Sequence, residues 1–272
     1  MSKRALLVGI NYRKMPGELR GCINDVYNVE LILREYWGFD DIKILTDDTE
    51  IKPTKKGILD GLNWLVAPGA DTLFFHYSGH GTAVHDRSGD EESGKDCALV
   101  PLDYQTGGII LDDELRVIID TLPASANLFG ILDCCHSGTG FDLHYLYNDY
   151  SYASGSVADV TKYYYENYNL KQTITELRRH KKTTANVVLL SGCRDDQTSA
   201  DAVEEGQNCG ALTYGFIKSC RISEGKPRWK YMLKDIRCLL VLKKYTQIPQ
   251  LSSGRDINLN DVIFLSTPSV SL

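Results

Sequence analysis

The sequence predicts an α/β fold in which helices flank both faces of a mostly parallel central sheet. The first observation is that short apolar runs alternate with helical periodicity up to residue 81, which is the βαβ pattern of a parallel sheet. The second is that two apolar runs, 72–77 and 128–132, end abruptly in polar, glycine-containing segments. Buried strands of a parallel sheet have this continuous apolar character. The third is length, because 272 residues can form one large α/β domain. We therefore expect a single domain over 1–272.

Strands and helices alternate in the predicted first half of the chain. Strands are indicated by short apolar runs, and helices by apolar residues three or four positions apart. Gly38 is typical of a helix end, and the pair 68–69 (Pro-Gly) stops the second helix. The predicted elements are a strand at 5–10, a helix at 24–37, a strand at 42–45, a helix from 53 with Ile58, Leu62 and Leu65 on its apolar face, and a strand at 72–77.

The second half of the chain is less regular. The acid-rich segment 85–96 shows no periodicity and is expected to be a solvated loop. The segment 144–184 is rich in Tyr, Asn, Ser and Lys, and we interpret it as a long connector, with a helix over 163–177 as the alternative. The other predicted elements are strands at 98–101, 109–111, 128–132, 186–191 and 262–265 and helices at 112–122, 211–220 and 229–243.

The composition excludes several classes of protein. The formal charge is −6, whereas binding to the nucleic-acid backbone needs clustered Lys and Arg, so no nucleic-acid partner is expected. The start of the chain does not resemble a signal peptide, and no apolar stretch reaches the ~20 residues of a membrane span. We expect a cytoplasmic protein, with the nucleus as a further location, and no membrane partner. Its eight cysteines are then expected to be thiols, mostly in the core.

Chemically reactive side chains follow two of the predicted strands. His80 and Gly81 come just after the run 72–77, and Cys134 and Cys135 come just after 128–132. The carboxyl ends of strands in an open α/β sheet are where functional groups are usually placed. A thiol with an adjacent imidazole base is a catalytic nucleophile, and backbone amides beside glycines can hold an oxyanion. The pattern favours a cysteine hydrolase with the amides of Gly81 and Cys135 as the oxyanion hole.

Two points stay open from the residues alone. Either of the two adjacent cysteines, Cys134 or Cys135, is a candidate nucleophile, because strand alternation does not persist into a turn. A metal site is the less favoured alternative, since no matching acids and no paired Cys spacing accompany the thiols and imidazoles. Its ligands would be His76, His80, Cys134, Cys135 and His136.

The segments 76–81 and 133–138 together resemble the signature pair of the metacaspases, which are relatives of caspases. The resemblance is to the type I branch, although the Pro/Gln-rich N-terminal extension of many members is missing. It implies a caspase-like α/β sandwich, divided into a large-subunit-like part at 1–143, a connector at 144–184 and a small-subunit-like part at 185–272. Further matching blocks lie at 6–12, 19–26, 45–48, 101–104, 110–114 and 191–201.

The resemblance also implies a mechanism and a specificity. His80 would be the base and acid, Cys135 the nucleophile, and cleavage would follow Arg or Lys. Two carboxylates in the implied pocket suit a cationic side chain. The purely structural alternative for Asp25, one of these two carboxylates, is that its side chain caps the helix that follows. The pocket positions are Cys22, Asp25, Ser78 and Asp133.

Members of this branch commonly respond to calcium, and the resemblance implies Ca²⁺ as an activator that takes no chemical part in catalysis. Calcium binds several carboxylate or carbonyl oxygens, and the implied ligands are all acidic here. Cys97 departs from the pattern, because an acid often stands at that position. The implied ligands are Asp96, Asp112, Asp113 and Asp142.

An enzyme that cuts after basic residues is expected to cut its own basic connector. We expect a monomer whose partners are proteins and peptides with a basic P1 residue. The alternative function is a non-proteolytic scaffold or aggregate-binding protein on the same fold. A peptidase that cuts after Asp or Asn is disfavoured, because the acids of the implied pocket would repel an Asp side chain of the substrate. The self-cleavage candidates are Lys162, Lys171, Arg178, Arg179, Lys181 and Lys182.

Overall fold

The computed structural model describes residues 2–85, 95–135, 140–148, 173–176, 182–192, 201–204, 206–245 and 247–264. The helices are α1 Cys22–Trp37, α2 Lys55–Val66, α3 Tyr104–Gly107, α4 Asp112–Ile119, α5 Ala211–Ile222 and α6 Trp229–Leu242. The strands are β1 Lys3–Gly9, β2 Asp41–Thr46, β3 Thr72–Ser78, β4 Gly81–His85, β5 Lys95–Leu99, β6 Ile110–Leu111, β7 Asn127–Asp133, β8 Tyr145–Asn148, β9 Thr173–Glu176, β10 Asn186–Ser191, β11 Asp201–Glu204, β12 Gln207–Gly210 and β13 Gln250–Ser253.

The central sheet has eight strands among the described residues, in the order β2-β1-β3-β7-β10-β13-β8-β9. The first five strands in this order are mutually parallel, and the last three extend the sheet in antiparallel fashion. Parallel neighbours need crossover connections, and these place helices on the faces of the sheet. The predicted mostly parallel α/β architecture is confirmed.

Alternate side chains of the central strands pack against opposite helical layers. On one face, Phe74 and Phe129 contact a core that includes Val29 of α1, Phe216 of α5 and Trp229 of α6. The opposite core gathers residues of α2 and α4 with the alternate residues of β1, β3 and β10, and its members include Leu6, Phe75, Leu62, Leu115 and Leu189. Both faces of the sheet are therefore buried, which explains why its central strands are continuous apolar runs.

Most of the predicted apolar elements form where they were expected, but several regions differ. The predicted strand at 262–265 is wrong over the described residues 262–264, where only one isolated bridge joins Arg228 to Val262. Ile263 instead packs into the core of the α1 face. The predicted loop 85–96 overlaps the ends of β4 and β5, which pair with each other. The hairpin of β11 and β12 was also not predicted.

The connector contributes two strands to the main sheet. Tyr145 of β8 pairs with Ser253 of β13, and the same strand pairs with β9 on its other side. The alternative helix over 163–177 is wrong at 173–176, which is the strand β9; its other residues lie outside the described part of the chain. Tyr147 helps to hold β8 against β13, because its ring is fully buried and its hydroxyl lies 3.0 Å from the Ser253 hydroxyl.

Among the described helices, none is long and apolar enough to span a membrane.

Candidate active site

The tips of β3 and β7 lie side by side and bring the predicted catalytic pair to one place. Ser78 and Asp133 are partners in the parallel register, and His80 and Cys135 each follow two residues later. A side chain on Gly81 would come within 2.1 Å of the Cys135 carbonyl oxygen, so these segments touch and only glycine fits there. The two candidate oxyanion-hole residues, Gly81 and Cys135, are therefore direct neighbours.

The two adjacent cysteines have different surroundings. Cys135 is partly exposed, whereas Cys134 is 1% exposed. The Cys134 sulfur lies 3.0 Å from the position that a side chain on Gly81 would occupy, and the residue lines a small apolar cavity with Leu115 and Leu132. A nucleophile must be reached by its substrate, so the geometry favours Cys135 over Cys134.

The imidazole of His80 is held from two sides by the segment that follows β1. Its Nε2 lies 2.5 Å from the carbonyl oxygen of Gly17, and the Tyr12 ring packs against it at 4.7 Å between centroids. A carbonyl oxygen only accepts hydrogen bonds, so Nε2 must carry the proton. Nδ1 is then the basic nitrogen of the neutral ring, as general-base chemistry requires.

A pair of buried tyrosines fixes the backbone of His80. The Tyr77 hydroxyl donates to the His80 carbonyl oxygen at 2.8 Å, and the Tyr12 hydroxyl accepts the His80 N–H at 3.0 Å. The two hydroxyls are 3.1 Å apart, and both lie within hydrogen-bonding distance of the Val100 carbonyl oxygen. Burial raises the pKa of both tyrosines, so they remain neutral hydrogen-bonding groups.

The implied pocket residues converge behind the strand tips. The Ser78 hydroxyl donates to Asp25 at 2.7 Å, and the N–H of Gly210 donates to both oxygens of that carboxylate at 2.9 and 3.0 Å. The N–H of Thr213 donates to Asp133 at 2.8 Å. A side chain on Gly210 would lie within 2.9 Å of both carboxylates, which shows how close the two acids are.

The start of α5 explains how two acids can lie together in a buried place. Asp25 is 0% and Asp133 4% exposed, and desolvation and mutual repulsion would both disfavour their charged forms. The N–H groups of Gly210 and Thr213 at this helix end supply hydrogen bonds, and the helix dipole favours negative charge there. Cys22, also buried, lies in the same first turn of α1 as Asp25.

The helix-capping alternative for Asp25 is wrong. Helix α1 already begins at Cys22, its N-cap is Gly21, and no side chain caps it. The Asp25 carboxylate instead accepts hydrogen bonds from the tip of β3 and from β12. It therefore joins the tip of β3 to the end of β12 and does not cap the helix.

His76 is a buried neutral residue of β3 that lies against the start of α5. Its Nε2 is 3.1 Å from the Thr213 hydroxyl, its Nδ1 has no hydrogen bond among the described residues, and burial lowers the pKa of His76 to about 3. Over the described part of the chain, no three His, Cys, Asp or Glu side chains are grouped as metal ligands. The alternative of a His and Cys metal cluster gains no support; its His136 lies outside the described residues.

The aspartates implied for calcium lie around the beginning of α4. The N–H of Cys97, next to Asp96, donates to Asp112 at 2.7 Å. Arg116, one turn further along α4, donates to the Asp142 carbonyl oxygen. Carboxylates suit a hard cation, so the donor type fits, but the side chains of the described residues do not converge on one point as ligands. Asp113 follows directly at the same helix start.

The self-cleavage candidates fall mostly beyond what the structure describes. Lys182 is described and exposed, with its ammonium group 5.1 Å from the centre of the Tyr145 ring. Hydrogen bonding to that tyrosine is the main cause that raises the pKa of Lys182. The candidates outside the described residues are Lys162, Lys171, Arg178, Arg179 and Lys181.

Sequence reasoning missed several residues that hold the site in place. Tyr12 and Gly17 position His80, and Gly210 and Thr213 bind the pocket acids. Gly17 follows a proline in a loop signal, and Gly210 precedes a predicted helix, but neither pattern indicates which distant group its backbone meets. Only the fold joins them.

In a comparison with protein families, residues 3–144 match the family described as "Metacaspase, peptidase C14 domain". Three fungal proteins named Metacaspase-1 are similar over most of the chain. Identity is 40% for Scheffersomyces stipitis, covering 95% of this chain and 72% of that protein. It is 39% for Mycosarcoma maydis, covering 97% and 73%, and 38% for Saccharomyces cerevisiae S288c, covering 95% and 68%.

Two solved structures share the fold. Protein GSU0716 from Geobacter sulfurreducens has a TM-score of 0.63 at 22% identity, with 95% of each chain covered. Caspase-1 from Spodoptera frugiperda has a TM-score of 0.59 at 11% identity, with 92% of this chain and 85% of that one covered. These likenesses establish a caspase-like α/β architecture.

Proposed function

The chain belongs to the metacaspase family of cysteine peptidases, and from this premise we propose that it is a calcium-stimulated endopeptidase that cleaves after Arg or Lys. The observation that carries the proposal is the register of β3 with β7, which sets His80 and Cys135 at adjacent strand tips. Two buried carboxylates, Asp133 at the tip of β7 and Asp25 of α1 against the tip of β3, support the basic specificity.

In the proposed reaction, His80 takes the proton of Cys135 through Nδ1. The hydrogen bond from Nε2 to the Gly17 carbonyl oxygen supports this assignment and also stabilises the imidazolium that forms. The thiolate attacks the scissile carbonyl, and the amides of Gly81 and Cys135 hold the oxyanion. His80 then protonates the leaving amine, and water releases the acyl-enzyme.

The proposed specificity pocket consists of Cys22, Asp25, Ser78 and Asp133. A guanidinium or ammonium group is attracted by two close carboxylates, and bidentate contact is strong in a buried place. An acidic P1 side chain would meet two like charges there. The Ser78 hydroxyl and the amides of Gly210 and Thr213 hold the carboxylates in position, which limits the rearrangement on binding.

The proposal is tested with matched peptides that carry Arg, Lys, Asp or Asn at P1, each assayed with calcium and with a chelator. We expect the Arg and Lys peptides to be cleaved and the Asp and Asn peptides to resist, with activity lost in chelator. The readout is kcat/KM from release of a fluorescent leaving group. Cleavage of the Asp peptide would contradict the pocket assignment, and full activity in chelator would contradict the role of calcium.

Calcium is proposed to act through Asp96, Asp112, Asp113 and Asp142. Because these side chains are not grouped as ligands in the structure, calcium binding would have to draw the carboxylates at the start of α4 together; the chemical steps are those of the Cys and His residues. The position supports an indirect role, because β5 pairs with β4, and β4 begins at Gly81. A cation on Asp96 or Asp112 would thereby stabilise the strand that starts at the proposed oxyanion hole.

We expect self-cleavage in the connector after incubation with calcium, because basic residues are concentrated there. N-terminal sequencing of the fragments is the measurement, with a Cys135→Ala chain as the control that cannot cut itself. The expected new termini follow one or more of the six candidates, and Lys182 is exposed as a protease site requires. Fragments that begin elsewhere, or that also form in the Cys135→Ala chain, would contradict self-cleavage at these residues.

A further inference from the structure

The segment 11–19, between β1 and α1, has an unusual backbone. Tyr12, Lys14 and Gly17 all have positive φ, at 52°, 62° and 79°. The left-handed region is unfavourable for residues with a side chain, so such a backbone persists only where its surroundings fix it. The segment closes on itself through the N–H of Leu19, which donates to the Asn11 carbonyl oxygen at 2.8 Å.

This strained segment carries both groups that orient the His80 ring. Gly17 supplies the carbonyl that accepts from Nε2, and Tyr12 supplies the packed ring and the hydroxyl that accepts the His80 N–H. A shift of the segment would therefore change the position of the imidazole and the tautomer it adopts.

Asp47 lies outside the segment 11–19 and holds the backbone of that segment in place. Its Oδ2 accepts the N–H of Asn11 at 2.8 Å, and its Oδ1 accepts the N–H of Arg13 at 3.2 Å, so one carboxylate holds both residues that flank Tyr12. The anchor is itself rigid, because the side chains of Thr46 and Thr49 close the turn that contains it. Asp47 follows β2 and lies outside the proposed dyad and pocket.

We propose that Asp47 is a positioning residue for His80: by binding the two N–H groups around Tyr12, it keeps the ring of Tyr12 and the carbonyl of Gly17 against the imidazole. This inference rests on the proposed function, because it concerns the base of that reaction. It assigns a catalytic consequence to a carboxylate that touches neither substrate nor nucleophile.

The test compares Asp47→Ala with Asp48→Ala as the matched control. Asp48 is the next residue and pairs with the Arg13 side chain at 2.6 Å on the exposed surface, but it binds neither flanking N–H. We expect kcat of Asp47→Ala on an Arg peptide to fall about tenfold, since small misplacement of a catalytic group is costly, with KM within about twofold because the pocket is untouched. Asp48→Ala should keep both constants within about twofold.

A second readout needs no substrate. Iodoacetamide alkylates the thiolate form of Cys135, so the rate of alkylation as a function of pH gives the midpoint at which the thiolate forms. The rate is followed by mass spectrometry in a Cys134→Ala background. In Asp47→Ala the midpoint should move to higher pH, because loss of the Gly17 acceptor weakens the imidazolium that stabilises the thiolate. Tyr12 and Tyr77, two titratable residues in contact with His80, stay neutral throughout because burial raises their pKa.

Unchanged kcat together with an unchanged alkylation midpoint in folded Asp47→Ala would overturn the inference. If that variant fails to fold, Asp47→Asn decides, because its amide keeps one acceptor oxygen: an intermediate loss of kcat and a partial shift of the midpoint support the role, and wild-type values of both overturn it. Failure of the wild type to cleave Arg or Lys peptides would instead contradict the proposed function, and the alkylation midpoints would still decide the role of Asp47.

Discussion

Replacement of Cys135 by alanine is expected to lower kcat/KM on an Arg peptide by about 10⁴-fold or more, because no covalent intermediate can then form. The side chain is partly exposed at the strand tip, so the loss of one sulfur atom should cost little stability. Peptide hydrolysis measures the effect, and the melting temperature verifies that the variant is folded. Any partner binding that survives in Cys135→Ala would identify a scaffold role separate from proteolysis.

The adjacent thiol provides the matched control. Cys134 is buried against Gly81 in an apolar cavity, so Cys134→Ala should retain activity within about tenfold while the melting temperature falls by a few degrees. The opposite outcome, an active Cys135→Ala protein and an inactive but folded Cys134→Ala protein, would reverse the assignment of the nucleophile.

The second large effect is expected at the pocket carboxylates. Asp133→Asn keeps the size of the side chain and an acceptor for the Thr213 N–H but removes the charge. Loss of one partner of a buried charge pair costs about 2–5 kcal/mol, which corresponds to roughly 30- to several-thousand-fold in kcat/KM for an Arg peptide. Asp25→Asn should act in the same direction, because Ser78 and Gly210 hold its carboxylate beside the first.

A citrulline peptide separates charge recognition from damage to the site. Citrulline has the shape of arginine without its charge, so kcat/KM on this substrate should change little in Asp133→Asn, and the preference for Arg over citrulline should collapse. Asp41→Asn, which removes an exposed carboxylate paired with Arg4, serves as the control and should keep the wild-type ratio. An equal loss on both peptides would mean that Asp133 supports the fold and not the recognition of charge.

The strands that carry the site were predictable because they are buried on both faces. In 72–77 and 128–132, burial on both sides requires apolar residues at successive positions, and that pattern is visible in the sequence. β13 is also fully buried, yet it reads Gln-Leu-Ser-Ser, and its hydroxyls are satisfied by distant partners such as Tyr147. The apolar run at 262–264 instead gave a wrong strand prediction. Ile263 is apolar because its side chain packs into the core, and not because the segment pairs as a strand.

The candidate site was predictable where it depends on strand ends and not where it depends on loops. Parallel strands end at a common edge, so the proximity of His80 and Cys135 follows from two apolar runs. The contacts of Gly17 and Asp47 depend on the path of the segment 11–19, which carries three left-handed residues. Contacts with the end of β2 and the tip of β3, which are remote in sequence, fix the path of this segment. No local sequence pattern therefore predicts that path.

The place of β8 and β9 in the sheet has a consequence for what self-cleavage would produce. A cut between β8 and β10 would divide the chain into two polypeptides, yet strands of the first would still alternate with strands of the second: β7 pairs with β10, and β8 pairs with β13. The strands β10 and β13 of the second fragment would thus be held between β7 and β8 of the first by backbone hydrogen bonds. Cleavage of this protein would nick a single interlocked body, and its two pieces would separate only on denaturation.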